Sequence, residues 1–246
     1  ACATKVSLYV LLRFDFIVFQ PNLAGHDLQF AYFLMPLAVL AIVVASAVAA
    51  REQNLKRLLA YSSVAQIGYI MLGASLVNQA GLTASIVHIF NHSLAKGTLF
   101  LAVAALALRT GSLRLEGIAG AAKTMPWTMA AFVIGGFSLI GVPGTAGFIS
   151  KWYLILAVLD RGWLGVVLVL AIVAGSLLAV VYVWRVIEAA WFRSPPTDGA
   201  ATHEAPLGLL AVTWAAALAN IYFGIFTEVP LALSSMAAEG LRELMP

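Results

Sequence analysis

In His88-Ile-Phe-Asn-His92-Ser-Leu-Ala-Lys96, two imidazoles and an ammonium recur every fourth residue within a largely apolar run. All three gain and lose protons. On a helix this spacing puts them on one face, about 6 Å apart per step and about 12 Å end to end. An imidazole changes charge near neutral pH without help. An ammonium in mid-membrane costs at least about 2.5–3.5 kcal/mol on insertion scales. Burial favours the neutral amine, so such a group can trade its proton. The chemistry on offer is a proton relay along a bundle interior. His-x-x-x-His is also half of a zinc site, but no Glu, Asp or Cys stands nearby to complete it, so no metal is expected.

Two more lysines, Lys5 and Lys151, fall at membrane depth. Snorkelling to an interface is the competing reading for both, since they lie nearer segment ends; Lys96 is too central for it. Ser62, Gln66 and Tyr69, spaced by four and three, form one polar stripe. They can order water between relay stations, or simply hold membrane helices together; the spacing leaves both open. Carboxylates are nearly absent from the apolar zone. Hard cations need oxygen ligands, so these residues suit protons rather than metal cations.

The elements that must position these groups are transmembrane helices. The chain has 246 residues, 62% hydrophobic and only 10% charged, against roughly 25% charged in soluble domains. Apolar runs reach membrane-spanning length, and alternating barrel strands are absent. The single Cys2 excludes an internal disulfide and an all-cysteine iron–sulfur site. No Gly-rich nucleotide loop is present, so no cofactor is expected and no catalytic redox site is read in this chain. The opening Ala-Cys-Ala-Thr-Lys lacks Met and lies within an apolar helix; it reads as a fragment missing an N-terminal portion.

One transmembrane domain is expected over 1–246, with spans at 1–19, 30–50, 58–78, 82–108, 125–159, 163–192 and 207–226, then an amphipathic tail from 228. Loops are expected at 20–29, 51–57, 109–123 and 195–206. Pro36 can kink the second span. The span 125–159 is cut by Gly141, Pro143, Gly144 and Gly147. Each half is some 15 residues, roughly 23 Å, short of the ~30 Å hydrocarbon layer. One discontinuous span with an unwound middle is therefore expected, rather than two re-entrant helices. The loops 51–57 and 109–123 hold six Lys and Arg. The positive-inside rule puts them in the cytoplasm, and counting 125–159 as two spans would send Arg185 and Arg193 outside. Arg185 and Glu188, three apart, are expected to form a local ion pair.

Leu55-Lys-Arg-Leu-Leu-Ala-Tyr-Ser-Ser-Val-Ala-Gln-Ile-Gly-Tyr69, the His88/His92/Lys96 motif and Gly141-Val-Pro-Gly-Thr-Ala-Gly-Phe-Ile-Ser-Lys151 carry a resemblance. Together they resemble the proton-conducting antiporter-like family, which joins the large subunits of Mrp-type sodium/proton antiporters to the membrane-arm subunits N, M and L of respiratory complex I. The wording of 138–153 looks most like the D-type large chain of Mrp antiporters. The resemblance implies an all-α polytopic bundle, the C-terminal half of a fold of about fourteen helices with inverted repeats and a discontinuous helix. It implies that Lys5 links two half-channels, that Lys96 with His88 and His92 is the centre of the second, and that Lys151 stands at its outlet. It implies a multi-pass subunit of a bacterial inner-membrane complex, with other Mrp-type subunits as partners and a cation/proton antiport function. The alternative is a proton-pumping subunit of a complex I-like redox complex, whose partners would be redox subunits. A scaffold bundle without conduction is disfavoured by the three intramembrane lysines.

Overall fold

The computed structural model describes residues 2–14, 27–194 and 203–243. These residues form helices α1 (Cys2–Arg13), α2 (Asp27–Arg51), α3 (Leu55–Ala74), α4 (Gln79–Thr110), α5 (Ala121–Thr124), α6 (Pro126–Ile140), α7 (Ala146–Leu159), α8 (Trp163–Phe192), α9 (Leu207–Ile225) and α10 (Glu228–Glu243), with a single 3-10 turn at Glu116–Ile118 before α5. Residues 15–19 of the first expected span, 20–26 of the next loop and 195–202 of the last lie outside the described residues.

Local chemistry sets the ends. Residues 51–57 are expected as a loop, yet α3 already starts at Leu55. The reason is Asn54, whose side chain accepts the N–H groups of Lys56 at 3.0 Å and Arg57 at 3.2 Å and so caps the helix. Asn78 caps α4 in the same way, at 2.8 Å from Gly81 N. Gly111 ends α4 in the left-handed region at φ 67°. Pro36 lies within α2 without ending it.

The long helices share two ends. At one, Leu55 N donates to Leu113 O at 2.7 Å, Leu115 N to Gln53 O at 3.0 Å and Gly120 N to Ala189 O at 3.2 Å. The Glu204 carboxylate caps the start of α6, accepting Trp127 N at 2.9 Å and the Thr128 hydroxyl at 2.5 Å. The basic loops therefore lie together. At the other end, the Arg161 guanidinium donates to Leu76 O. Since α6 begins at the first end and α7 finishes at the second, the two cross the bundle once, as 15 and 14 residues of an interrupted helix.

Arg185 and Glu188 do not pair. Glu188 binds Arg193 at 3.2 Å. Arg185 instead donates to Ala50 O and, at 3.2 Å, to Glu52 O. The last carbonyls of a helix have no partner inside it, and a five-donor guanidinium suits them.

Among the described residues four helices, α2 from Phe33, α4, α8 and α9, are long and apolar enough to cross a membrane. Within their most apolar windows α4 is 56% buried, against 28% for α2 and α8 and 22% for α9. That difference makes α4 the axis of the bundle, with α3, α6, α7, α9 and α10 packed around it. Phe33, Leu37 and Leu40 on α2, and Val166, Leu170 and Leu177 on α8, turn outward. An all-round apolar helix with one exposed side is what a lipid-facing position requires.

Candidate functional site

The site follows one face of α4, facing α3 and the interrupted helix. Lys96 is 0% exposed. Its Nζ donates to Leu59 O at 2.7 Å and to Ser62 Oγ. The Phe100 ring lies 5.9 Å from it, centroid to nitrogen. Leu59 O sits inside α3 and also accepts the hydroxyls of Ser62 and Ser63. Among the described residues no carboxylate stands within ion-pair distance of this ammonium.

His88 and His92 are buried, with stacked rings 6.1 Å apart between centroids. His88 Nδ1 meets Ser150 Oγ at 2.8 Å, and its Nε2 meets Gln66 Oε1 at 2.9 Å. Among the described residues neither ring nitrogen of His92 has a hydrogen-bond partner. Buried polar atoms are seldom left so.

Lys151 is 5% exposed. Its Nζ donates to Leu139 O at 3.0 Å, Ile140 O at 2.8 Å and Ser176 Oγ at 3.0 Å. The two carbonyls are the last of α6, freed because the helix stops there. The ammonium thus caps the negative end of the helix dipole, satisfying Ile140 O and sharing Leu139 O with Gln66 Nε2 at 3.5 Å. It also lies 4.7 Å over the Tyr69 ring, a cation–π contact. A groove bounded by Ile140, Gly141, Phe148, Trp152, Ile172 and Ser176 opens beside it.

The break itself is shorter than the sequence suggests. Gly141 and Gly144 take φ of 92° and 85°, which non-glycine residues avoid, and Pro143 between them lacks an N–H. Gly147, however, lies inside α7 rather than in the break. Its lack of a side chain serves packing: a Cβ there would overlap Ser138 O. Its N–H donates to Ser138 Oγ at 3.1 Å, which staples the start of α7 to the end of α6.

The polar stripe on α3 contacts these buried lysines and His88 directly. Ser62 binds Lys96, Gln66 binds His88, and the Tyr69 ring lies under Lys151 while its hydroxyl donates to Ile172 O at 3.2 Å. Lys5 on α1 is half-buried, and its charge reaches His88, His92 and Lys96. Spacing alone did not reveal Ser150, Ser176 or Asn91. Asn91 Nδ2 donates to Ala146 O at 2.6 Å and ties α7 to α4. Only its place one residue before His92 hinted at it.

The residues 1–179 match the family described as NADH:quinone oxidoreductase/Mrp antiporter, transmembrane. The chain belongs to this family. It is a multi-pass membrane protein with an all-helical fold, and it spans about half the length of the curated relatives it matches. It is 38% identical over 241 residues to NADH-quinone oxidoreductase subunit N of Desulforudis audaxviator, covering 93% of this chain and 47% of that protein. It is 30% identical over 242 residues to the D-type chain of the Na(+)/H(+) antiporter of Alkalihalophilus pseudofirmus, covering 98% and 48%. It superposes on a chain of the Mrp complex from a Dietzia species with a TM-score of 0.88 at 25% identity, covering 97% of this chain and 51% of that one.

Proposed function

We propose that this chain is a proton-relaying part of an antiporter-like subunit in a respiratory complex of the NADH-quinone oxidoreductase type. The observation that carries the relay is the buried Lys96 ammonium, held by one carbonyl and one hydroxyl with no carboxylate among the described residues. A structural cation in hydrocarbon sits against a counter-charge or against backbone carbonyls left free by a helix end. An amine whose carbonyl lies inside an intact helix, as Leu59 O does, can instead spend part of a cycle unprotonated.

The stations run in order. Ser62 turns with the charge state of Lys96, accepting from the ammonium and donating to the free amine. His92 lies one turn along α4 from Lys96, and His88 one turn beyond. Lys151 takes the outlet, next to the groove between α7 and α8. Lys5 sets the cost of a second positive charge among them, because like charges disfavour one another. By resemblance, Lys5 links this half to the other half-channel of a whole subunit; by the positive-inside rule, the basic loops face the cytoplasm.

The residues 138–153 resemble the D-type Mrp chain, yet over nearly the whole sequence the identity is 38% with the complex I relative against 30% with the antiporter relative. That difference favours a proton pump powered by a partner's electron transfer. The superposition on the Mrp complex over 97% of the chain favours the second reading, a subunit of a cation/proton antiporter. Purifying the complete complex and identifying the co-purifying subunits separates the two: redox subunits support the first, small Mrp-type subunits the second. The relay itself is tested by pH-gradient formation in vesicles carrying that complex. Lys96→Arg is expected to abolish transport with assembly intact, because guanidinium does not release its proton at accessible pH. Normal transport by Lys96→Arg and Lys151→Arg together would sink the relay.

A further inference from the structure

We propose that Gln66 is a proton-insulating latch between His88 and Lys151, and that while it is in place His88 is a one-port store, loaded and unloaded at Nδ1, beside Ser150. This rests on the relay described above and adds where its wire is cut.

The orientation of the Gln66 amide is fixed from both sides. Its Nε2 faces Leu139 O at 3.5 Å, and that carbonyl also accepts Lys151 Nζ at 3.0 Å. Two acceptor oxygens repel, so the NH2 end of the amide, not its oxygen, points at this carbonyl. The Oε1 end then faces His88 Nε2 at 2.9 Å. An amide oxygen only accepts, so His88 Nε2 carries the proton and Nδ1 is left with the lone pair in the neutral ring.

Ser150 completes the store. Its hydroxyl has two acceptors in reach, His88 Nδ1 at 2.8 Å and Gly147 O at 3.2 Å. With His88 neutral, the hydroxyl donates to Nδ1. When a proton reaches Nδ1, the hydroxyl turns to Gly147 O and its oxygen accepts the new Nδ1–H. Both charge states of the ring are then fully hydrogen-bonded, at the cost of one hydroxyl rotation. The proton leaves from the same nitrogen and restores the neutral ring. Gln66 neither gains nor loses a proton.

Gln66 also cannot pass one on. Transfer from His88 Nε2 through the amide would require protonation of Oε1 and loss of a proton from Nε2, and an amide does neither readily. A carboxylate, an imidazole or a water does both. His88 touches Gln66 directly, Lys151 meets it only through the Leu139 carbonyl that both donate to, and the two stay isolated while Gln66 is in place. Passage from the α4 stations to Lys151 requires Gln66 to swing aside. In a complex powered by a partner, such a latch turns an open wire into a gated one.

The experiment uses the intact complex in sealed vesicles, with driven pH-gradient formation and undriven proton leak both measured. Gln66→Glu keeps the size but can hand a proton on, so leak is expected to rise several-fold and the driven gradient to fall. Gln66→Leu cannot relay, and is expected to slow driven transport with no rise in leak. Unchanged leak in Gln66→Glu overturns the latch, as does equal leak in Gln66→Leu, which would signify loosened packing. Should either variant fail to assemble, the wild-type complex still decides. In 15N-histidine NMR, with His88 identified by signals lost in His88→Asn, the Nε2–H tautomer is expected and the Nδ1–H tautomer overturns the proposal. If Lys96→Arg keeps full driven transport in the same vesicles, the relay fails. If Lys96→Arg is inactive and the tautomer or leak pattern is wrong, the latch alone fails.

Discussion

Lys96 and Lys151 are both buried ammoniums on neutral oxygens, yet their surroundings differ. Lys96 meets α3 where that helix is intact, and borrows a carbonyl that two serine hydroxyls already use. Lys151 meets α6 where that helix stops, and takes two carbonyls that the break set free. The first lysine is a guest whose loss leaves its neighbours satisfied. The second is also a structural cap, because its loss takes the donor from Ile140 O and leaves Leu139 O only the long contact with Gln66. The same residue type at the same depth can thus be dispensable to the fold or part of it, depending on whether the facing backbone has completed its own hydrogen bonds.

The sharpest way to break this comparison is to remove each amine in turn. Lys96→Ala should abolish proton transport while the complex assembles in normal amount, read by pH-gradient formation beside the yield of purified complex. Lys151→Ala should abolish transport and also lower thermal stability, by about 1–3 kcal/mol for the stranded Ile140 carbonyl. Equal stability of the two variants would show that Lys151 is no cap. Lys151→Arg sharpens the point: it should recover most of that stability, since guanidinium can donate to both carbonyls, and still fail to transport.

Next in size is the staple beneath the cap. Gly147→Ala should destabilise by roughly 1–3 kcal/mol, as overpacking does, because its Cβ would meet the backbone of Ser138. Transport should fall with it, since Leu139 and Ile140 would shift away from Lys151. A Gly147→Ala complex that melts and pumps normally would show that the two half-helices are joined more loosely than their contacts indicate.

Smaller effects are expected from single hydroxyls. Ser176→Ala removes one of three acceptors from Lys151, and should slow transport without stopping it. Ser62→Ala removes one of two from Lys96, and should slow it more. Initial rates in vesicles measure both, and the reverse order would contradict the unequal hold on the two amines.

The smallest effect lies outside both regions. Glu52, half-buried at the turn after α2, accepts Asn54 N and Gln53 N, and Arg57 stands beside it. The backbone bond from Asn54, then that from Gln53 and the charge of Arg57, hold its carboxyl below the ordinary 4.5, against the opposing effect of burial. A lowered folded value means the stabilisation is present above the ordinary value and is lost as pH falls through the folded one. Melting temperatures of wild type and Glu52→Gln should therefore differ slightly at neutral pH and converge in acid. A difference that grows in acid would contradict this sign.

The sequence by itself carried the helical class, because an apolar chain in lipid must satisfy its backbone internally. It carried the shared face of His88, His92 and Lys96, because a period of four is a property of the helix alone. It carried the position of the interruption, because Gly141, Pro143 and Gly144 break a helix by their own covalent structure. What lies across a gap in sequence was not legible. That Arg185 turns to Ala50 and Glu52 rather than to Glu188 depended on where α2 ends. That Gly147 packs rather than bends depended on how close Ser138 comes. That Lys151 caps α6, and that Gln66 and Ser150 hold His88 between them, depended on which helices share a wall with α4. Periodicity names the face a residue occupies. Only packing names the atoms opposite it, and for a buried amine or imidazole those atoms decide between a cap, a store and a relay.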